Sequence, residues 1–238
     1  MRLQEGTHTY ILAIDTATPV GSVALFDGSR LVGLMETHVD RSHAKLISPM
    51  IQSLMDRQGV AAEDLKAVAV AKGPGSYTGL RVGVSTAKGL CLALDIPLLS
   101  IGSLDLLAWK VQELAHQFDA WICPMLDARR MEVYCAYFDA NIQQVLETRA
   151  VVVDEHSFQD ILSERQVIFL GNGVRKCAPL IQDHPNSILL LDQLSSASVL
   201  GKILFQKYES QDFEDLIRFE PFYLKDFVAT KPKNKLQQ

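Results

Sequence analysis

The residues with the clearest chemical capacity lie on one glycine-rich run, Gly73-Pro74-Gly75-Ser76-Tyr77-Thr78-Gly79-Leu80-Arg81-Val82-Gly83. It follows an apolar stretch, Leu65 to Ala71, and opens a helical pattern that ends near Leu94. A strand, a glycine loop and a helix N-terminus together can aim backbone N–H groups at an anion. The spacing departs from both common phosphate loops. No Lys follows Gly79, as a P-loop needs, and the third glycine comes one residue late for G-x-G-x-x-G.

Two aspartates stand at comparable places. Asp15 ends an apolar run and opens the turn Asp15-Thr16-Ala17-Thr18, and Asp127 ends another and opens Asp127-Ala128-Arg129-Arg130. A carboxylate at a strand end can hold magnesium or cap its own turn, and capping is the commoner use. Close approach to a phosphate favours glycine in such a turn. The second turn carries two bulky arginines instead. They could bind a carboxylate or an RNA phosphate, or simply be exposed turn residues with surface partners. Asp15, Thr16, Gly73, Gly75, Asp127, Arg129 and Arg130 are therefore the candidate residues of a degenerate nucleotide or anion site.

Other reactive groups form no constellation. His8, His38, His43, His116, His156 and His184 include no pair four apart, the spacing that lets two imidazoles share one ion on a helix. Ser76, Tyr77 and Thr78 have no histidine near in sequence, so Ser76 or Thr78 reads as a helix cap rather than a nucleophile. Cys91, Cys123, Cys135 and Cys177 form no C-x-x-C pair and read as small buried hydrophobes in a reducing compartment. No catalytic residue and no metal site is expected.

The elements around these residues come in two similar series. Tyr10–Ile14, Val20–Phe26 and Leu31–Thr37 read as a three-stranded meander. A helix from about Ser42 to Gln58 follows, with Ser42 as N-cap and Gly59 as C-cap. Then come a strand near Ala67–Ala71, the glycine-loop helix, and a strand Pro97–Ile101. Three antiparallel strands followed by alternating helix and strand is a ribonuclease-H-like order, not a Rossmann order. A helix Ser103–Gln117 leads to a second series. It has strands at Trp121–Leu126, Met131–Phe138 and Gln143–Val153, a helix near His156–Glu164, strands Val167–Leu170 and Ile188–Leu191, and a helix Ser195–Tyr208. The expected domains are 1–103 and 104–238, the latter with a basic tail, Lys225 to Lys235. A cleft between two such copies is a usual ligand position.

Gly79, Gly83 and Ala87 recur every four residues, so one helix face is nearly bare. Each helical glycine costs about 1 kcal/mol relative to alanine, a cost that close approach of another element can offset. That element is either the chain's own sheet or a partner helix. The partner reading joins this face to Met50, Ile51, Leu54 and Met55 of the preceding helix as one interface.

Composition narrows the classes. The chain has 238 residues, 48% hydrophobic, and a net charge of −5. It can bury a substantial core, and it lacks the clustered cations of a chain that grips nucleic acid alone. Met1 to Thr9 is polar, and no apolar run reaches membrane-spanning length, so a cytoplasmic protein is expected.

Ile11-Leu-Ala-Ile-Asp-Thr16, the run Gly73 to Gly83, Leu126-Asp-Ala-Arg-Arg-Met-Glu-Val-Tyr134 and Pro221-Phe-Tyr-Leu224 together resemble the TsaB (YeaZ) family over roughly Tyr10 to Leu224. The resemblance implies an α/β protein of two ribonuclease-H-like domains, the superfold of acetate kinase, sugar kinases, Hsp70 and actin. It implies a non-catalytic subunit without a cofactor of its own. TsaD and TsaE are its implied partners, with ATP and metal held in those partner subunits. The implied complex makes threonylcarbamoyladenosine beside the anticodon of tRNAs that read codons starting with A. It further implies a homodimer when alone and contact with tRNA only through the complex. The alternative is a free-standing ATP-dependent phosphotransferase of the same superfold. A peptidase label attached to relatives finds no support in these residues.

Overall fold

The computed structural model describes residues 8–39 and 41–225; the tail Lys231–Lys235 and most of the polar N-terminal stretch lie outside them. Two five-stranded sheets repeat one topology. The first contains β1 (Tyr10–Asp15), β2 (Gly21–Asp27), β3 (Arg30–Thr37), β4 (Leu65–Gly73) and β5 (Leu98–Gly102), in the order β3-β2-β1-β4-β5. The second contains β6 (Trp121–Asp127), β7 (Glu132–Phe138), β8 (Gln144–Val152), β9 (Val167–Leu170) and β10 (Ser187–Leu190), in the order β8-β7-β6-β9-β10. In each, the first three strands are antiparallel and the last two run parallel to the first. This is the ribonuclease-H-like order read from the sequence, present twice.

The helices are α1 (His43–Gln58), α2 (Tyr77–Leu94), α3 (Ser103–Lys110), α4 (Gln112–Phe118), α5 (Gln159–Glu164), α6 (Val174–Ile181) and α7 (Gly201–Glu209). Side-chain alternation along β1 sends Leu12 and Ile14 to one face, where Ile47, Met50, Ile51 and Leu54 of α1 and Val84 and Ala87 of α2 cover them. Ile11 and Ala13 go to the other face. There they join Phe26, Ala67, Ala69 and Leu99 beneath Leu106 of α3 and Leu200 and Leu204, which flank and lie on α7. On β6 the same alternation puts Ile122 and Leu126 under α3 and α4, and Cys123 and Met125 under α5 and α6.

The two units thus exchange their closing helices. Helix α3 lies between the sheets, with Leu106 on the first and Leu104 and Leu107 on the second; α4 covers the second, while α7 leaves the second and covers a face of the first. The expected boundary at 103/104 falls at the first turn of α3. The expected contiguous second domain, 104–238, is corrected, because Ser195, Ala197, Leu200 and Leu204 pack on the first sheet.

Local departures have local causes. The expected helix Ser103–Gln117 breaks at Val111, whose φ of −121° separates α3 from α4. Ser195 to Ser198 is extended and then turns, so α7 starts only at Gly201. The helix α6 goes unread in the sequence because Pro179 sits inside it and glycines precede it. Ser42 precedes α1 but makes no side-chain cap; its hydroxyl donates to the Val39 carbonyl instead, at 2.6 Å. Gly59 does end α1 in the left-handed region. All four cysteines are free and buried, and burial pushes the Cys91 and Cys177 thiols up to about 11. Among the described residues no helix is long and apolar enough to cross a membrane.

Candidate functional site

The first turn follows from the end of β1. Asp15 is 0% exposed. Its Oδ1 accepts from the Ala17 backbone N–H at 2.9 Å, and its Oδ2 accepts from the Ser195 hydroxyl. Burial raises the Asp15 carboxyl above its ordinary range, and those two hydrogen bonds and the nearby His43 oppose that rise. Thr16 donates from Oγ1 to the Gly79 carbonyl at 2.7 Å, and the Ser76 N–H donates to the Ala17 carbonyl at 2.7 Å. The turn is therefore stitched to the glycine loop by its own hydrogen bonds. His43, 8% exposed, places Nε2 2.8 Å from the Thr18 carbonyl and stiffens the far side of the turn.

The glycine loop serves the same packing. Ser76 caps α2, its hydroxyl accepting from the Gly79 N–H at 3.3 Å. A Cβ on Gly79 would lie 2.1 Å from the Thr16 carbonyl oxygen, and one on Gly83 would lie 2.3 Å from Thr16 Oγ1. Ala87 is fully buried on the same face. This corrects the expected partner interface. Gly79, Gly83 and Ala87 approach their own first strand, and Met50, Ile51, Leu54 and Met55 are core residues of the same domain. All seven are buried within their own domain.

The second turn sits across a cleft of about 380 Å³ whose walls include Ala17, Thr18 and Tyr77 on one side and Asp127, Arg129 and Tyr134 on the other. Asp127 matches Asp15 in position, and its Oδ1 accepts from the Arg129 N–H at 2.8 Å. Here the likeness ends. The Asp127 side chain is 49% exposed, and its second neighbour is Lys176 of α6, which also donates to the Arg130 carbonyl at 2.9 Å. Arg129 and Arg130 both have positive φ, 70° and 48°, a conformation that glycine or asparagine adopts more easily. The two arginines are displayed at a cost in backbone strain.

The C-terminal segment 221–225 closes the space between the turns. The Phe222 N–H donates to the Lys72 carbonyl at 2.7 Å, and the Phe222 carbonyl packs against Gly73. Tyr223 lies on Tyr77 with ring centres 4.8 Å apart, and the Arg81 guanidinium lies 4.8 Å from the centre of the Tyr77 ring. Lys225 pairs with Glu132 of β7. The C-terminal segment thus covers Gly73, while Gly75, Ser76, Tyr77 and Thr78 still line the cleft.

Of the seven candidate anion-site residues, Gly75, Asp127 and Arg129 line this cleft, Asp15 and Thr16 are buried behind it, and Gly73 faces another cavity, so the donor set does not fit a metal–nucleotide. Both oxygens of Asp15 are taken, Lys176 is on Asp127, and Gly73 is covered by Phe222. Sequence reading missed Ser195 and Lys176, because their partners lie 180 and 49 positions away. It also missed a larger cleft of about 850 Å³ on the opposite side of Phe222, at the ends of β4 and β5.

Residues 29–231 match the family described as "TsaD: tRNA N6-adenosine threonylcarbamoyltransferase". The chain is 31% identical over 235 residues to the tRNA threonylcarbamoyladenosine biosynthesis protein TsaB of Escherichia coli (strain K12), covering 93% of this chain and 96% of that one. It is 35% identical over 178 residues to the TsaB protein of Bacillus subtilis (strain 168), covering 73% and 75%. Its fold matches a solved structure described as YeaZ from Pseudomonas aeruginosa with a TM-score of 0.76 and 25% identity, over 91% of this chain and 100% of that one.

Proposed function

The chain belongs to the TsaB (YeaZ) family, and from that premise we propose that it is a non-catalytic partner subunit in tRNA threonylcarbamoyladenosine biosynthesis. In this reading it supports TsaD, together with TsaE, in transferring the threonylcarbamoyl group to the adenosine beside the anticodon of tRNAs that read codons starting with A. It holds no cofactor of its own, works in the cytoplasm, pairs with itself when alone, and meets tRNA through the complex. One observation carries the reading. The carboxylate that a phosphotransferase of this superfold would need free, Asp15, is spent on Ala17 and Ser195 inside the fold.

The partner surface must then lie on the outer faces of α1 and α2, since their inner faces are core. On α2, Leu92 is 77% exposed. One turn earlier, Gly89 is open, with nothing within 4 Å of a Cβ placed there. An open glycine beside an exposed leucine lets a partner helix approach closely, in the way first expected of Gly83.

The test is reconstitution with purified TsaD, TsaE, ATP and tRNA. Modification is expected to require this chain, to survive Asp15→Asn, and to fall with Gly89→Leu while the variant melts normally. The chain alone should release no phosphate from ATP. Phosphate release by the pure chain that disappears in Asp15→Asn would instead establish the phosphotransferase.

A further inference from the structure

The 850 Å³ cleft has the size of a small-molecule site and lies at the carboxyl ends of parallel strands, where α/β sheets commonly take ligands. Three structural pieces line it. The ends of β4 and β5 and one face of α3 supply Lys72, Ser100, Asp105 and Trp109. The hairpin between β7 and β8 supplies Asn141, Gln143 and Gln144, and α7 supplies Gln206 and Lys207. Both units and the exchanged helix therefore contribute to one cavity.

Asp105 is the unusual group. Gly102 makes room for its carboxylate: a Cβ there would lie 1.9 Å from Oδ2. Burial raises its carboxyl above the ordinary range, and Lys72 and Lys207 lower it only through charge. Each of those lysines is ion-paired elsewhere, Lys72 with Glu214 at 3.8 Å and Lys207 with Asp212. A half-buried carboxylate at a cleft, short of donors, gains from a ligand that brings them.

The chemistry of that ligand follows from the lining. Asp105, Glu147, Glu214 and Asp212 around two lysines make the surroundings net negative, which disfavours a free anion. Four side-chain amides, Asn141, Gln143, Gln144 and Gln206, offer donors and acceptors together, as a base edge requires. Trp109 and Phe222 supply flat apolar walls. We propose that this cleft binds a neutral ribonucleoside, with its vicinal ribose hydroxyls donating to Asp105 and its base held among the amides and rings.

Titration calorimetry of the full chain with adenosine, 2′-deoxyadenosine, adenosine monophosphate and D-ribose tests this. Adenosine is expected to bind in the millimolar range or tighter. Loss of one hydroxyl in 2′-deoxyadenosine, or of the charge in Asp105→Asn, should weaken it by roughly tenfold, the value of a hydrogen bond to a charged group. The monophosphate should bind no tighter than adenosine, and Arg129→Ala, in the other cleft, should bind like wild type. The melting temperature of Asp105→Asn should equal or exceed that of wild type, so lost binding is not lost fold. The proposal is overturned if adenosine gives no heat, if D-ribose binds as well, if the monophosphate binds much tighter, or if Arg129→Ala rather than Asp105→Asn abolishes binding.

Discussion

Asp15 and Asp127 each end the first strand of a five-stranded sheet and accept from the backbone N–H two residues on. The first then receives a buried serine hydroxyl and is sealed; the second receives a lysine at the surface and stays half open. The flanking residues diverge in step. Thr16 and Ala17 are bonded into the glycine loop, whereas Arg129 and Arg130 are held outward at positive φ. One copy of a duplicated unit has turned its strand-end acid into a structural rivet. The other keeps its turn at the cleft, where a partner can reach it.

The contrast can be broken most forcefully through the rivet. Gly83→Leu drives a side chain into Thr16 Oγ1, already bonded to the Gly79 carbonyl. The loss should reach or exceed the ~1–3 kcal/mol usual for overpacking, read as a fall in the urea midpoint. A variant that melts like wild type would mean that the face is free after all.

Next in size, Asp15→Ala leaves the Ser195 hydroxyl and the Ala17 N–H without their acceptor, at about 1–3 kcal/mol each. Asp127→Ala should cost under about 1 kcal/mol, because the Asp127 side chain is itself half exposed. Equal losses in the two variants would dissolve the distinction between a sealed turn and an open one.

A pH series sharpens it further. The folded-state value of Asp15 is raised, so its contribution to stability is fully present below its ordinary carboxylate value and is lost as pH rises through the raised one. Asp105 acts with the same sign. Asp15→Asn should therefore flatten, without abolishing, the decline in stability from acid toward neutral pH. An unchanged slope in denaturant midpoints across that window would show that Asp15 is not a strained acid.

The smallest effect is on the second turn. Arg129→Gly or Arg130→Gly relieves a positive φ and should stabilise the chain by about 0.5–1 kcal/mol. If the partner complex weakens at the same time, the arginines are kept for contact rather than for the fold.

The sequence made the repeated unit legible because strand periodicity, turn chemistry and strand-end aspartates are local signals. It placed β1 to β10 within a residue or two and offered Ser76 or Thr78 as the cap, of which the structure uses Ser76. The bare face Gly79-Gly83-Ala87 was visible too, but not what it faces: a small-residue stripe fits the chain's own strand and a partner helix equally well in one dimension. Ser195 on Asp15, and the cleft that joins Asp105 to the β7–β8 hairpin and α7, depend on chain segments that meet only after the closing helices cross over. No local pattern encodes such meetings.

That crossover sets the order in which the protein can mature on the ribosome. The strands bearing Ile11, Ala13, Phe26, Ala67 and Leu99 are synthesised first, yet Ala197, Leu200 and Leu204, which shield that face, come near the end of the chain. Vectorial synthesis at about 5–20 residues per second leaves this greasy surface bare for several seconds to tens of seconds. Nascent chains should accordingly be clients of hydrophobic-binding chaperones until residues 197–204 emerge. A fragment stopped before Ser195 should aggregate, although it contains every strand of both sheets.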